Sequence, residues 1–360
     1  MQKSLQNKIF FKIGKSDLKN NRVFVVAEIS ANHNKSIKRI KQLIKSAKKA
    51  GADAVKLQTF TPDTITLPSD KKDFRLNYLK KNQEWKKLKT YYEIYKKAYF
   101  PMEWNKEIFS YAKKNNIEIF SSPFDETAVD LLEELNCVAY KIASPEINHI
   151  PLLEKVASTK KPVIISTGLA SETDISNALK IFKKKKNNKI ILLKCNSSYP
   201  AKLEECDLRN ITYMKRKFGL PIGLSDHSIG STAAVAATAL NACMIEKHIN
   251  LSDNVKTLDS FFSSNYQNFK NMVVKIRNTE KALGRYKYRI SKSSLRNFRS
   301  RRSIYVSKNI NKGDKFDATN IKVVRPGFSL SPKYYKKIIG KITKKKLTVG
   351  ERIKIKDIRF

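Results

Sequence analysis

Cysteine is scarce in this 360-residue chain: Cys137, Cys195, Cys206 and Cys243 lie far apart, with no Cys-x-x-Cys spacing. That excludes a zinc ribbon and a disulfide framework and fits a reduced interior. Long apolar runs are missing as well. None approaches the roughly 20 residues that a bilayer-crossing helix needs, and the N-terminus shows no signal-type apolar segment. A soluble, cytoplasmic protein with no membrane partner is the expectation. Acidic residues are few, 32 Asp and Glu against 73 Lys and Arg, for a net charge of +41. Such a balance raises a nucleic-acid or anionic-surface reading. The positions argue against it, because lysines are spread along the whole chain, as at Lys86, Lys87, Lys183 to Lys186 and Lys344 to Lys346. They read as solvated helix faces with no nucleic-acid partner, although their field still attracts a small anion.

What is present, with 41% hydrophobic residues to fill a core, is a repeat of short β-branched runs separated by helical patterns. The runs fall at 23–27, 54–57, 117–120, 138–142, 163–165, 190–193, 222–224 and 244–245. Helical patterns include 36–50, 104–114, 127–135 and 266–283, and a long charged, aromatic excursion follows the second run as far as Tyr99. Uninterrupted apolar runs are typical of buried parallel strands. Eight βα units over about 260 residues match a (β/α)8 TIM barrel. An open doubly wound sheet is the alternative, but the first turn, Glu28-Ile29-Ser30-Ala31-Asn32, lacks the glycines such sheets carry. The expected domains are a barrel over 1–284, a basic linker over 285–302 and a small β-rich domain over 303–360. The last has runs at 304–306, 321–324 and 352–355 and turn pairs Lys312-Gly313 and Val349-Gly350. Its size suggests that it leans on a partner surface.

In such barrels the carboxyl ends of the strands face the active site. Here they carry Glu28 with Asn32, His33 and Asn34; Lys56 and Gln58, two apart and so on one face; Ser121-Ser122; Lys141 and Ser144; Ser166-Thr167; Lys194 with Ser197, Ser198 and Tyr199; Ser225-Asp226-His227; and Glu246-Lys247-His248. A lysine inside an apolar strand is costly unless an anion pairs with it. Lys56 and Lys141, with serines at the same end, suggest a phosphate or carboxylate cradle, the alternative being lysines that snorkel to water. His227 and His248 close adjacent strands. They either share a divalent metal or are hydrogen-bonded core histidines. His33 reads as a ligand, a general acid or a structural cap, and His149 as ordinary surface.

Several of these segments, in order, resemble the sialic acid synthase family. They are Val26 to Asn34, Gly51 to Phe60, Ser121-Ser122-Pro123-Phe124-Asp125, Tyr140 to Ser144, Ser166-Thr167-Gly168, Leu224 to Ser228 and Ile245 to His248. Arg301 to Val306 and Val324-Arg325-Pro326-Gly327 resemble its antifreeze-like (SAF) C-terminal domain. Thr61 to Leu67 and Leu258-Asp259-Ser260 point to the pseudaminic acid branch rather than the N-acetylneuraminate or legionaminate branches. The sequence departs from the family at Lys35, where glycine is common, and at Ser197, where asparagine is common.

The resemblance implies condensation of phosphoenolpyruvate with an open-chain acetamido sugar, on a divalent cation (Mn2+, Mg2+ or Co2+) held by His227 and His248. It implies that Lys56, Lys141, Ser144, Ser166, Ser197 and Ser225 bind phosphoenolpyruvate, and that Gln58, Tyr199, Asp259 and Arg325 touch the sugar. Glu28, His227 and His248 would carry the catalysis, in a domain-swapped homodimer. A silent basic barrel that binds nucleic acid is the rival from another class; it requires steeply salt-dependent binding, and no aromatic–basic interleaving of the RNA-reading kind is present.

Overall fold

The computed structural model describes residues 11–18, 22–76, 85, 87–284 and 288–360; Lys86 and linker residues 285–287 lie outside them. The chain divides into two compact units, Met1–Gly284 and Arg285–Phe360.

The first unit is built on eight parallel strands: β1 Phe24–Glu28, β2 Ala54–Thr59, β3 Glu118–Pro123, β4 Tyr140–Ile142, β5 Val163–Ser166, β6 Ile190–Cys195, β7 Ile222–Asp226 and β8 Met244–Asn250. Each pairs with the next, and β8 also pairs with β1, so the sheet closes into a barrel. Closure buries both faces, and β1, β5 and β7 are buried at every position. That is why these runs are continuously apolar rather than alternating. The outer helices are α1 Ile37–Ala50, α2 Asn105–Lys114, α3 Glu126–Glu134, α4 Ile150–Ser158, α5 Glu172–Lys184, α6 Asn210–Phe218, α7 Thr232–Ala239 and α8 Tyr266–Leu283. Local signals set their ends. The Ser36 hydroxyl accepts from Arg39 N at the start of α1, and Gly51, at φ 90°, ends that helix in the left-handed conformation. Asp125 and Ser171 cap α3 and α5 in the same way.

Several sequence expectations change. The eighth run was expected to stop at Ile245, because Glu246, Lys247 and His248 are polar; the strand continues to Asn250 with every residue buried. Polar groups can occupy a buried strand when each finds a partner, and Lys247 finds Asp226 at 2.7 Å on the neighbouring strand. His149 is more than surface: its Nδ1 accepts Leu152 N at 3.3 Å and caps α4. His33 resolves as a structural cap, its Nδ1 accepting Lys35 N at 3.0 Å. Burial lowers its pKa to about 4, so it is neutral at physiological pH. Lys35 itself sits at φ 51°, a left-handed conformation that glycine adopts without steric cost. Its ammonium lies 4.0 Å from the centre of the Tyr99 ring.

The second unit has its own apolar core, including Ile304, Phe316, Ile338 and Leu347. Strands β9 Ser303–Val306 and β10 Ile321–Val324 pair antiparallel, as do β11 Ile342–Thr343 and β12 Ile358–Arg359. The expected run at 352–355 is not a strand. Arg352 makes one isolated bridge to Tyr305, and the chain then turns, with the Asp357 carboxylate accepting Lys354 N at 3.1 Å. A side chain that bonds its own backbone in this way competes with a ladder. Among the described residues, no helix is long and apolar enough to cross a membrane.

Candidate active site

Strand register brings the polar tips together. His248 on β8 pairs with Glu28 on β1, and Glu28 with Lys56 on β2. On the other side Glu246 pairs with Ser225 on β7, and Ser225 with Cys195 on β6. Glu246 and His248 are two apart and share a face, whereas Lys247 points the other way.

The result is a buried chain of alternating charge. Lys56 Nζ pairs with Glu28 Oε2 and lies 3.6 Å from Glu246 Oε1; Lys141 Nζ lies 2.8 Å from that same Oε1. Gln58 Nε2 donates to Glu28 Oε1 at 3.3 Å, Lys56 Nζ to Ser122 Oγ at 3.2 Å, and Ser225 Oγ to Glu246 Oε1 at 3.5 Å. The anions beside the buried lysines are therefore the chain's own carboxylates. Burial opposes the charged form of Glu246, but Lys141 and Lys56 outweigh it and hold its pKa low. Burial likewise opposes the Lys56 ammonium, which Glu246 and Glu28 keep raised, while burial lowers Lys141. Glu28 goes the other way: burial dominates and pushes its pKa up from 4.5 to about 7.

That shift has a signed consequence. A carboxyl whose folded pKa lies above its unfolded value takes up a proton on folding. Its contribution to stability is full below about pH 4.5 and is lost as pH rises through about 7. Glu28→Gln, which does not titrate, removes a partner of buried Lys56 and so starts less stable, but its deficit relative to the wild type should shrink between about pH 5 and about pH 8, by up to about 3 kcal/mol. Urea unfolding at the two pH values checks this; a stability difference that does not change with pH would refute it.

Ser144 Oγ accepts Leu169 N at 2.7 Å, joining the loops that follow β4 and β5. Gly168 lies so close to the next loop that a Cβ there would fall 2.4 Å from Ser197 Oγ. Glycine is the residue that allows this approach. Ser166 Oγ, Ser197 Oγ, Glu146 Oε2, Glu246 Oε2 and His248 Nδ1 are all buried without a hydrogen-bond partner. Native interiors seldom leave such atoms unpaired, so a grouping of them calls for a ligand.

The imidazoles of His227 and His248 lie 5.4 Å apart, centroid to centroid. His227 Nδ1 donates to the Asn196 carbonyl at 2.8 Å; burial opposes the charged ring, but Cys195 beside it holds the pKa above 6.5, so a cation at Nε2 would compete with a proton there. Burial first, then His227, lowers the His248 pKa well below 6.5 and keeps that ring neutral. The neutral ring and unpartnered Nδ1 of His248 suit a divalent cation. Among the described residues no third His, Cys, Asp or Glu completes a ligating cluster with His227 and His248. Tyr199 packs on His227 at 4.5 Å and Phe262 on His248 at 4.7 Å. Asp259 Oδ2 accepts Ala31 N at 3.0 Å and lies 3.9 Å from His248 Nδ1.

Arg325 belongs to the second unit, where it lines a cavity of about 350 Å³ with Tyr305, Ser307, Lys322 and Gly350. Sequence reasoning had not given roles to Glu246, Glu146 or Phe262. The i, i+2 rule that joined Lys56 to Gln58 also joins Glu246 to His248. Nothing in the sequence marked Glu146, whose pKa burial raises to about 7, or Phe262.

The fold and the grouping at the strand tips define a TIM-barrel enzyme with a buried lysine–glutamate cluster beside an imidazole pair. The NeuB family model matches residues 43–288, and an SAF domain model matches residues 301–359. This chain belongs to the NeuB family. It is 44% identical over 338 residues to a pseudaminic acid synthase of Campylobacter jejuni, covering 94% of this chain and 97% of that one. With an N,N'-diacetyllegionaminic acid synthase of Campylobacter jejuni it shares 35% identity, over 92% of this chain and 99% of the other. Among solved structures it resembles the N-acetylneuraminic acid synthetase of Leptospira borgpetersenii, at 32% identity and a TM-score of 0.67, over 78% of this chain and 91% of that one.

Proposed function

We propose that this chain condenses phosphoenolpyruvate with 2,4-diacetamido-2,4,6-trideoxy-L-altrose, giving pseudaminic acid and phosphate. The methylene carbon of phosphoenolpyruvate attacks the sugar aldehyde, water adds to its second carbon, and phosphate leaves. The observation that carries this reading is the grouping of two buried ammoniums, unpartnered hydroxyls and two adjacent imidazoles at the barrel's strand tips. The choice of sugar follows the 44% likeness to a pseudaminic acid synthase, against 35% for a legionaminic one.

Lys56 and Lys141 bind the phosphate and carboxylate as fixed cations, and the hydroxyls of Ser166, Ser197 and Ser225 orient them. Ser144 contributes by fixing the Leu169 amide. A divalent cation (Mn2+, Mg2+ or Co2+), held by His227 and His248, supplies a Lewis acid that polarises the aldehyde oxygen. The attacking water loses both protons: one is balanced at the new hydroxyl, and the other goes to the departing phosphate as the C–O bond to it breaks. Glu28 and Glu146, both pushed up to about 7, can accept or give a proton at neutral pH. Gln58, Tyr199 and Asp259 face the sugar. The four cysteines are free thiols, which supports placing the reaction in the cytoplasm.

Phosphate release measured with phosphoenolpyruvate and each of the three acetamido sugars tests the substrate. Release with the altrose derivative is expected; release with N-acetylmannosamine alone would overturn the choice. The same reading makes the second unit a cap that acts in a homodimer, with Arg325 meeting the sugar's acetamido group. Arg325→Ala should then raise KM for the sugar about tenfold or more while that for phosphoenolpyruvate stays near the wild-type value. An equal rise in both would remove Arg325 from the sugar site.

A further inference from the structure

The backbone ladder between β7 and β8 ends at the pair Asp226 and Lys247, one residue before the two histidines. Past that rung, backbone pairing no longer fixes the distance between the strands. A side chain takes over. Lys247 Nζ lies 2.7 Å from Asp226 Oδ2 and 2.6 Å from the Ser228 carbonyl, so one ammonium holds the residues on both sides of His227. Asp226 Oδ1 accepts Ser228 N at 2.9 Å and Ser228 Oγ at 2.6 Å, closing the turn around that histidine. Lys247 is itself the neighbour of His248, and both members of the pair are 1% exposed. They lie on the opposite strand face from Glu246 and His248, and the chemistry proposed above leaves them without a part.

We propose that the Lys247–Asp226 pair is a positioning device that sets the separation and aim of His227 and His248, and with them the affinity of the site for a divalent cation. The proposal rests on the reading of the histidine pair as the cation's ligands. Groups that orient metal-binding histidines typically affect affinity by 10- to 100-fold. The loop after β6 supplies further holds on His227, the Asn196 carbonyl at its Nδ1 and the Ala201 amide, which donates to the His227 carbonyl at 3.0 Å. Losing the ion pair should therefore loosen the site without dismantling it.

The test is Mn2+ affinity by isothermal titration on the full chain without substrates, together with thermal unfolding in chelator. Asp226→Asn keeps the shape of the side chain but sets an amide against the ammonium. It is expected to weaken Mn2+ binding about 10- to 100-fold, with kcat returning towards the wild-type value at saturating Mn2+. Ser228→Ala removes only the hydroxyl bond to Asp226 and keeps the test open if Asp226→Asn does not fold; about fivefold weaker Mn2+ binding is expected there. If either folded variant loses thermal stability but binds Mn2+ within twofold of the wild type, the pair is purely structural and the proposal is wrong. A wild-type chain that binds no Mn2+ would overturn the histidine reading and this inference with it.

Discussion

Replacing His227 or His248 by alanine is expected to lower kcat by about 10^3-fold or more while the barrel remains folded. A Lewis acid contributes several kcal/mol to a transition state that develops charge on oxygen, and each 1.4 kcal/mol is a factor of ten in rate. The fold should survive because the rings stand at strand tips, and the Nδ1 of His248 has no protein partner to lose. Bound metal, measured after dialysis against chelator and reloading, should fall with the activity. Full activity of either variant in metal-stripped buffer would contradict the role given to these rings.

The second large effect concerns stability. Glu246 shares its Oε1 between Lys141 at 2.8 Å and Lys56 at 3.6 Å, and its side chain is 4% exposed. Glu246→Leu leaves one ammonium more than the carboxylates can neutralise, in a place water does not reach. Removing one partner of a buried ion pair typically costs about 3–5 kcal/mol, a large share of the roughly 5–15 kcal/mol that holds a domain folded. Phosphoenolpyruvate supplies the missing negative charge, so it should raise the variant's unfolding temperature more than the wild type's. A loss below about 1 kcal/mol by urea unfolding, or equal ligand stabilisation of both proteins, would mean that Glu246 does not balance these lysines.

The barrel was legible in the sequence because closure buries both faces of each strand and forces apolar runs such as Val163 to Ile165. Helix limits were legible where the apolar period was clear, as at 36–50 and 266–283, whereas the caps at Ser36, Asp125 and Gly51 emerge from the structure. The end of β8 was not legible, since a run of Glu, Lys and His reads as a loop until Asp226 is known to stand beside Lys247. Pairing across strands decides that, and no single strand contains it. The same holds within the site. Lys56 and Lys141 stood out as cations in apolar surroundings. That Glu28 and Glu246 neutralise them depends on register around the ring, and the short strand at Ile342–Thr343 was too brief to leave a pattern at all.

The most direct measurement is equilibrium binding of phosphoenolpyruvate, by isothermal titration, to the wild-type chain and to Lys141→Met. Saturable binding to the wild type, weakened about 30-fold or more in the variant, is expected if this ammonium holds the ligand's anionic groups. Equal affinity in two folded proteins would place phosphoenolpyruvate elsewhere and contradict the site described for it.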